Sequence, residues 1–335
     1  MSKFILISET KEYNGVEVYR LQATEDFEVN GYQVHAGDKG GFVRSLHNLS
    51  GRAWVADDAI VTDNAMVFGK ALIKNTAVVS GYAMVSGNAV IKNKAFVGQH
   101  AKVTGSAVVS GSAKVIGYAN VDGDTTIKDK ALVKDYARVT DQVTVSGSAE
   151  VTGHACVTSK VFLKDNAKVE KNAVVTGSVF IQGSGRVYGN ARITGSVKIQ
   201  DEARVYDDAR VSGNVTLGGE VKISTTSEIS GAVCLDQAVN FRGAKVSSKH
   251  DYLIFRKSHP VSDGYFLWMK SNNNWSDGAF CGDSLTLLRR SYEKSKECGD
   301  YYNEFVKIVT DMHGLPEVVY NQPVKSPYFY IGKNL

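Results

Sequence analysis

The feature that most constrains the fold is a six-residue repeat, which runs without interruption from residue 53 to residue 241. Every sixth residue from Val55 to Phe241 is Val, Ile, Leu or Phe, and the residue two places earlier is mostly Ala. Apolar residues spaced by two favour β-strands, and the Gly, Asn or Asp two places before the Ala suits a corner with positive φ. The unit G-x-A-x-V-x therefore predicts short strands joined by tight corners and excludes helix.

A longer period lies inside the hexads and indicates how many strands form one coil. Thr125 replaces the usual Ala, and Val then replaces it at every eighteenth residue from Val143 to Val233. Three hexads therefore make one coil, so that residues eighteen apart stack above one another. We predict an all-β solenoid, a parallel β-helix of about ten triangular coils of eighteen residues.

The flanking segments are predicted to close the ends of this solenoid, whose terminal strands would otherwise present open edges. Residues 1–50 form an N-terminal β-hairpin cap around the turn Asn14-Gly15, residues 51–243 form the β-helix, and residues 244–335 form a small C-terminal α+β domain. In this last domain we expect strands at Tyr252–Phe255 and Tyr265–Met269. A first helix is expected to start at Asp283 or Ser284 and to include Tyr292, and a second helix is expected from about Gly299 to Met312. The core of the domain should contain Trp268, Trp275 and Phe280.

Composition narrows the possible environments. The net charge of +4 on 335 residues is too small to identify a nucleic-acid binder without a local cluster of charge. The N-terminal apolar run is too short for a signal peptide or a membrane span, so no membrane contact is expected. The four cysteines are widely spaced without a CxxC pair, which favours the cytoplasm, and no Cys/His spacing suits a metal site.

The outward positions of the first coils are unusually apolar. They hold Trp54, Ile60, Met66, Leu72, Val78, Met84, Val90 and Phe96. We expect these side chains to be buried under the N-terminal cap or against another subunit.

The G-x-A-x-V-x coils resemble the left-handed β-helix of hexapeptide-repeat proteins, which include many acyltransferases and are usually trimeric. The lead-in from Gly37 to Val43, the segment Asn48-Leu49-Ser50 and a tail with Trp275, Gly278 and Phe280 resemble more closely bacterial and phage proteins of the YdcK type. This closer resemblance covers nearly the whole chain, and such proteins are often labelled transferases from their fold. The resemblance to the hexapeptide-repeat class implies left-handed coils and a homotrimer. Because one fold hosts many functions, it does not by itself imply an activity.

Two histidines of the repeat, His100 and His154, fall in one column of residues that directly follow the corners. Between Asn64 and Asp208 this column also carries Tyr82, Tyr118 and Tyr136. In an acyltransferase using acyl-CoA, His100 or His154 would be the general base at a trimer interface, but a base needs a pocket and an orienting partner. A stacked ladder along a corner, or a contact between protomers, requires neither.

The outward positions of the later coils become basic and aromatic. Lys168, Arg186, Arg204 and Lys222 stack on one face, Arg192 and Arg210 stack on the next, and Tyr188 and Tyr206 follow two of the arginines. Arg beside an aromatic ring suits phosphate and base stacking, which favours an anionic ligand such as a nucleotide or nucleic acid. The alternatives are a subunit interface and a solvated surface neutralised by Asp201, Glu202, Asp207 and Asp208.

The leading hypothesis from these patterns is a non-catalytic binding or scaffold protein without a cofactor. Its candidate ligand-binding residues are Arg186, Tyr188, Arg204, Tyr206, Lys222, Arg192 and Arg210. It would be a homo-oligomer, with a trimer favoured, and a phage-encoded protein could use this face to bind a nucleotide, a nucleic acid or a protein partner. One alternative is the acyltransferase, and another is a purely structural spacer or assembly component.

Overall fold

A computed structural model describes residues 3–258, 261, 263–278 and 280–320. The chain forms two compact units, Met1–Asp251 and Tyr252–Leu335. Among the described residues, no helix is long and apolar enough to cross a membrane.

The first unit is a parallel β-solenoid of about eleven turns, which confirms the predicted fold class. Its strands belong to three sheets, here called the first, second and third faces. The first face comprises Ile60–Val61, Val78–Val79, Phe96–Val97, Lys114–Val115, Leu132–Val133, Glu150–Val151, Lys168–Val169, Arg186–Val187, Arg204–Val205, Lys222–Ser224 and Asn240–Arg242. The second face comprises Met66–Val67, Met84–Val85, Lys102–Val103, Asn120–Val121, Arg138–Val139, Cys156–Val157, Val174–Val175, Arg192–Ile193, Arg210–Val211, Glu228–Ile229 and Lys245–Val246. The third face comprises Trp54–Val55, Leu72–Ile73, Val90–Ile91, Val108–Val109, Thr126–Ile127, Thr144–Val145, Lys160–Leu163, Ser178–Ile181, Ser196–Ile199, Asn214–Leu217 and Ala232–Leu235.

The corners and the core follow the hexad directly. Every sixth residue from Gly51 to Gly231 has a positive φ, which places a corner at this position of each hexad, where the residue is mostly Gly, Asn or Asp. The Ala and Val positions point inward and are almost entirely buried. Partners in neighbouring strands are eighteen residues apart, as in the pair Val79 and Val97, so each coil consists of three hexads.

The third face changes where Val replaces Ala. At a typical corner, the amide of Ala65 or Ala77 donates to the carbonyl three residues earlier and closes a tight turn. Strands on the third face lengthen from two residues to four from Lys160–Leu163 onward, where Val161 and its equivalents occupy the Ala position. The strand Thr144–Val145, which follows the first such Val at Val143, still has two residues. Val is larger and favours extended backbone, so the later third face is a broader sheet.

The N-terminal strands extend the first face. Phe4–Tyr13 and Val16–Ala23 form an antiparallel hairpin through Asn14 and Gly15, and Lys39–Val43 pairs with this hairpin on one side and with Ile60–Val61 on the other. The short strands Phe27–Val29 and Tyr32–Val34 form a second hairpin, and a 3-10 helix follows at Leu46–Asn48.

Close contacts fix this N-terminal segment to the first coils. A Cβ added at Gly41 would lie 2.5 Å from the Ala59 carbonyl oxygen, so the lead-in requires glycine there. Arg20 packs over the Phe42 ring at 4.1 Å and donates to the carbonyl oxygen of Asp57 at 2.8 Å. In the second hairpin, Asn30 donates to the carbonyl oxygens of Lys70 and Asn88, which belong to two successive coils.

The N-terminal segment buries only part of the early apolar set. Trp54, Ile60 and Leu72 are buried, with Phe27 packing edge-on against Trp54 at 5.5 Å. Val78, Met84, Val90 and Phe96 are half-buried, whereas Met66 is 46% exposed within the described chain. Met66 lies on the second face, and the two N-terminal hairpins lie along the first and third faces, which explains the difference.

The second unit contains an antiparallel sheet and two helices. The strands are Tyr252–Arg256, Tyr265–Met269, Asn274–Asp277 and Phe280–Gly282, and the helices are α1 (Ser284–Lys294) and α2 (Lys296–His313). Asp283 caps α1 by accepting from the Thr286 amide at 2.8 Å. Trp268 and Trp275 are buried in the core, and Phe280 packs against it half-buried. The second helix starts at Lys296, three residues before the predicted Gly299, because Ser295 caps it by accepting from the Cys298 amide.

Candidate functional site

The predicted basic column lies on the first face, but its charges are partly neutralised. Arg186 Nη2 lies 2.6 Å from Glu170 Oε2, and Lys168 Nζ lies 2.9 Å from Glu150 Oε1. Arg204 lies farther from its nearest carboxylate, at 3.9 Å from Glu202. Lys222 pairs with Arg204 across neighbouring strands and has no ion pair among the described residues.

The tyrosines that follow this column form a stacked pair. The rings of Tyr188 and Tyr206 are 4.9 Å apart and parallel within 3°. Arg186 and Lys171 approach the Tyr188 ring at 5.3 and 5.6 Å. Burial raises the pKa of the Tyr188 phenol, with a smaller contribution from Tyr206, so its hydroxyl remains a neutral hydrogen-bonding group near neutral pH.

Arg192 and Arg210 lie beyond the next corner, on the second face, and pair across neighbouring strands. Both side chains are exposed, and neither makes an ion pair within the described ranges. We call the later-coil set Arg186, Tyr188, Arg192, Arg204, Tyr206, Arg210 and Lys222 the Arg/Tyr edge. Its tyrosines lie between two basic columns.

The acidic residues near the Arg/Tyr edge have structural partners. Asp201 and Asp207 are corner residues that accept the backbone amides of Gly219 and Thr225 in the next coil, at 2.9 and 3.2 Å. Asp208 accepts from the Asn190 side chain at 2.9 Å. These carboxylates therefore hold successive coils together in addition to offsetting positive charge.

The predicted corner column forms a continuous ladder. Tyr82, His100, Tyr118, Tyr136 and His154 stack with centroids 4.7–5.0 Å apart and planes within 3° of parallel. The ladder continues as a chain of side-chain hydrogen bonds from Asn172 through Asn190 to Asp208.

This stacking limits what the two histidines could do chemically. Both faces of the His100 ring are covered, by Tyr82 and Tyr118, and only the ring edge is open to solvent. Neither His100 nor His154 contacts a carboxylate that would orient it, among the residues the structure describes. The described residues therefore give neither histidine the orienting partner that a general base needs. Likewise, His, Cys, Asp and Glu do not cluster in the described ranges in a way that would hold a metal ion.

The sequence prediction missed a group on the third face. Phe162 and Phe180 occupy neighbouring outward positions with ring centroids 5.9 Å apart, and Lys198 follows in the next strand. They line a cleft of about 380 Å³ together with Ser178, Ser196, Gln182 and Gln200. The sequence does contain a signal for this group. Phe162 and Phe180 lie eighteen residues apart, and each directly follows a Val that replaces the usual Ala, Val161 and Val179.

Stacked triangular coils, an unbroken run of hexads and exposed side-chain ladders define a β-solenoid of the hexapeptide-repeat class. Residues 203–219, which include part of the Arg/Tyr edge, match the family model described as YdcK Beta solenoid repeat. This short match and the β-solenoid fold are consistent with a YdcK-like repeat protein. No curated protein matches the chain.

Proposed function

We propose that this solenoid is a non-catalytic binding protein that holds a polyanion, namely single-stranded nucleic acid, along the Arg/Tyr edge. The observation that carries this proposal is the stacked pair Tyr188 and Tyr206 between two columns of arginine. Tyr188 and Tyr206 are half-buried, so part of each ring is open to solvent. Aromatic rings provide stacking surfaces for bases, and cations at strand spacing follow a phosphate backbone.

Arg192 and Arg210 supply the unpaired charge for this contact. Arg186 already has a carboxylate partner in Glu170, so its guanidinium mainly positions the Tyr188 ring. Affinity should therefore depend more on Arg192 and Arg210 than on Arg186, and it should fall steeply with salt because counterions are released on binding.

The test is a titration of a fluorescently labelled single-stranded oligonucleotide at several salt concentrations. The double variant Arg192→Glu with Arg210→Glu should weaken binding by about tenfold or more. It should also make the dependence of log affinity on log salt concentration shallower, by the amount expected for the loss of roughly two phosphate contacts. Reversal of Arg186 and Arg204 should produce a smaller loss.

Matched controls lie in the same outward columns of earlier coils. Lys102 is on the second face and Lys114 is on the first face, and both are exposed. Lys102→Glu with Lys114→Glu changes the net charge equally but lies away from Tyr188 and Tyr206. Equal losses for the control and the Arg192/Arg210 variant would reduce the effect to net charge and would refute a localised site.

A further inference from the structure

The cleft on the third face carries an inference beyond the Arg/Tyr edge, because it uses different residues on a different face. Its base is formed around the four-residue strands Ser178–Ile181 and Ser196–Ile199. The rings of Phe162 and Phe180 rise beside the small Ser178 and Ser196, which creates the depression. Its volume of about 380 Å³ falls within the usual range for a small-molecule site.

The two phenylalanines are not required by the fold. The same outward column carries Thr126 and Thr144 in the preceding coils and Thr216 after Lys198. Phe162 is nevertheless 37% exposed. An exposed phenylalanine beside a half-buried one, at positions that accept threonine, indicates a contact surface for a ligand.

The charge around these rings is positive. Lys164 Nζ lies 5.1 Å from the Phe180 ring centroid. Lys160 is exposed on the same strand as Phe162, and Lys198 is exposed on the strand that pairs with that of Phe180. In the part of the chain that the structure describes, none of the three makes an ion pair. The corner carboxylate Asp165 accepts the Gly183 amide at 3.1 Å, and it is thus already engaged.

We propose that this cleft binds a small aromatic anion, an aryl or nucleoside phosphate. The aromatic ring would lie against Phe162 and Phe180, and the phosphate would contact Lys198 and Lys164. The hydroxyls of Ser178 and Ser196 and the amides of Gln182 and Gln200 provide hydrogen-bonding groups at the rim. Lysine ammonium groups suit this role because they act as compact phosphate-binding charges.

Isothermal titration of the full chain with phenyl phosphate and with AMP tests the proposal directly. Inorganic phosphate and phenol serve as the two half-ligands. We expect saturable binding of one phenyl phosphate or AMP per chain, at least tenfold tighter than either half-ligand. Absence of saturable binding for both aromatic phosphates at millimolar concentration would overturn the proposal.

Variants test the two contributions separately. Phe162→Thr with Phe180→Thr should weaken binding by about tenfold, since one stacked base is worth on the order of 1–3 kcal/mol. Lys198→Glu should weaken AMP and phenyl phosphate without affecting phenol. Phe96→Thr on the first face and Lys102→Glu on the second face are the matched controls and should leave the affinity unchanged, and thermal melting verifies that each variant is folded.

The outcome separates this site from the Arg/Tyr edge. Arg192→Glu with Arg210→Glu should leave phenyl phosphate binding intact, whereas Phe162→Thr with Phe180→Thr should leave oligonucleotide binding intact. If only oligonucleotides bind and the phenylalanine variant weakens them, the cleft belongs to the polyanion surface and the small-ligand proposal is wrong.

Discussion

At the scale of single residues, the corners decide how well the coils stack. A corner Asp or Asn both tolerates a positive φ and accepts the amide of the corner residue eighteen places later, as Asp129 does from Gly147 at 3.0 Å. The corners also show where tertiary structure overrides propensity. Lys171 and Thr225 take φ values of 60° and 54° although neither residue type favours them, because coils above and below impose the turn.

Substitutions at Asp129 separate the contribution of its hydrogen bond from that of its backbone conformation. Asp129→Ala should lower the free energy of unfolding by about 2 kcal/mol, because it removes one exposed hydrogen bond and places Ala at a positive φ. Asp129→Gly loses the hydrogen bond but relieves the backbone, so its loss should be about half as large. Asp129→Asn should remain close to wild type. Chemical denaturation followed by far-UV circular dichroism measures these differences, and an Ala variant as stable as the Asn variant would contradict the explanation.

At the scale of elements, a partly buried polar network joins α2 to the sheet of the second unit. Asp277, at the end of Asn274–Asp277, lies 2.7 Å from Lys257 Nζ and accepts a short hydrogen bond from the Tyr302 hydroxyl. Burial raises the pKa of Tyr302 strongly, and the Asp277 hydrogen bond and charge raise it further. The folded unit therefore strongly disfavours the tyrosinate form.

This network predicts an alkaline limit for the second unit. A group whose folded pKa is raised contributes its stability fully below its unfolded pKa, near 10 for Tyr, and loses it as the pH rises above that value. The stability of the unit should fall above about pH 10. Tyr302→Phe should flatten this decline and cost about 1–2 kcal/mol at neutral pH. Unfolding monitored by tryptophan fluorescence at pH 7 to 11 measures both, and an equally steep decline in the Phe variant would exclude Tyr302 as the cause.

At the scale of the whole molecule, the exposed apolar residues that the N-terminal strands leave uncovered raise the question of assembly. Met66 and the ladder tyrosines Tyr82, Tyr118 and Tyr136 are all more than two-fifths exposed. Exposed aromatic residues grouped in this way are typical of protein interfaces. The trimer implied by the family resemblance stays a prediction.

Sedimentation of the intact chain tests this assembly. We expect wild type to sediment as a trimer, and Tyr118→Glu to shift it toward monomer because a carboxylate would be buried in the middle of the interface. Asn172→Glu, in the hydrogen-bonded part of the same column, is the matched control and should keep the trimer. A monomeric wild type would refute the trimer, and a trimeric Tyr118 variant would place the interface elsewhere.

The sequence by itself determined the repeat architecture of this protein. The hexad specified short strands, inward Ala and Val positions and corners with positive φ, and the eighteen-residue spacing of Val143 and its equivalents specified three strands per coil. These features follow from local geometry, since each depends on the size and backbone freedom of residues within one or two turns. The columns of the Arg/Tyr edge and the corner ladder were predictable for the same reason.

Only the tertiary structure decided which of these side chains are available. Arg186 is paired because Glu170 lies in an adjacent outward column of the preceding coil, and the Phe162/Phe180 cleft exists because a lengthened strand sets large rings beside two serines. Met66 remains exposed because the N-terminal hairpins follow the other two faces. The periodic pattern determines the face and column of each side chain, whereas its contact partners depend on how neighbouring columns pack against one another.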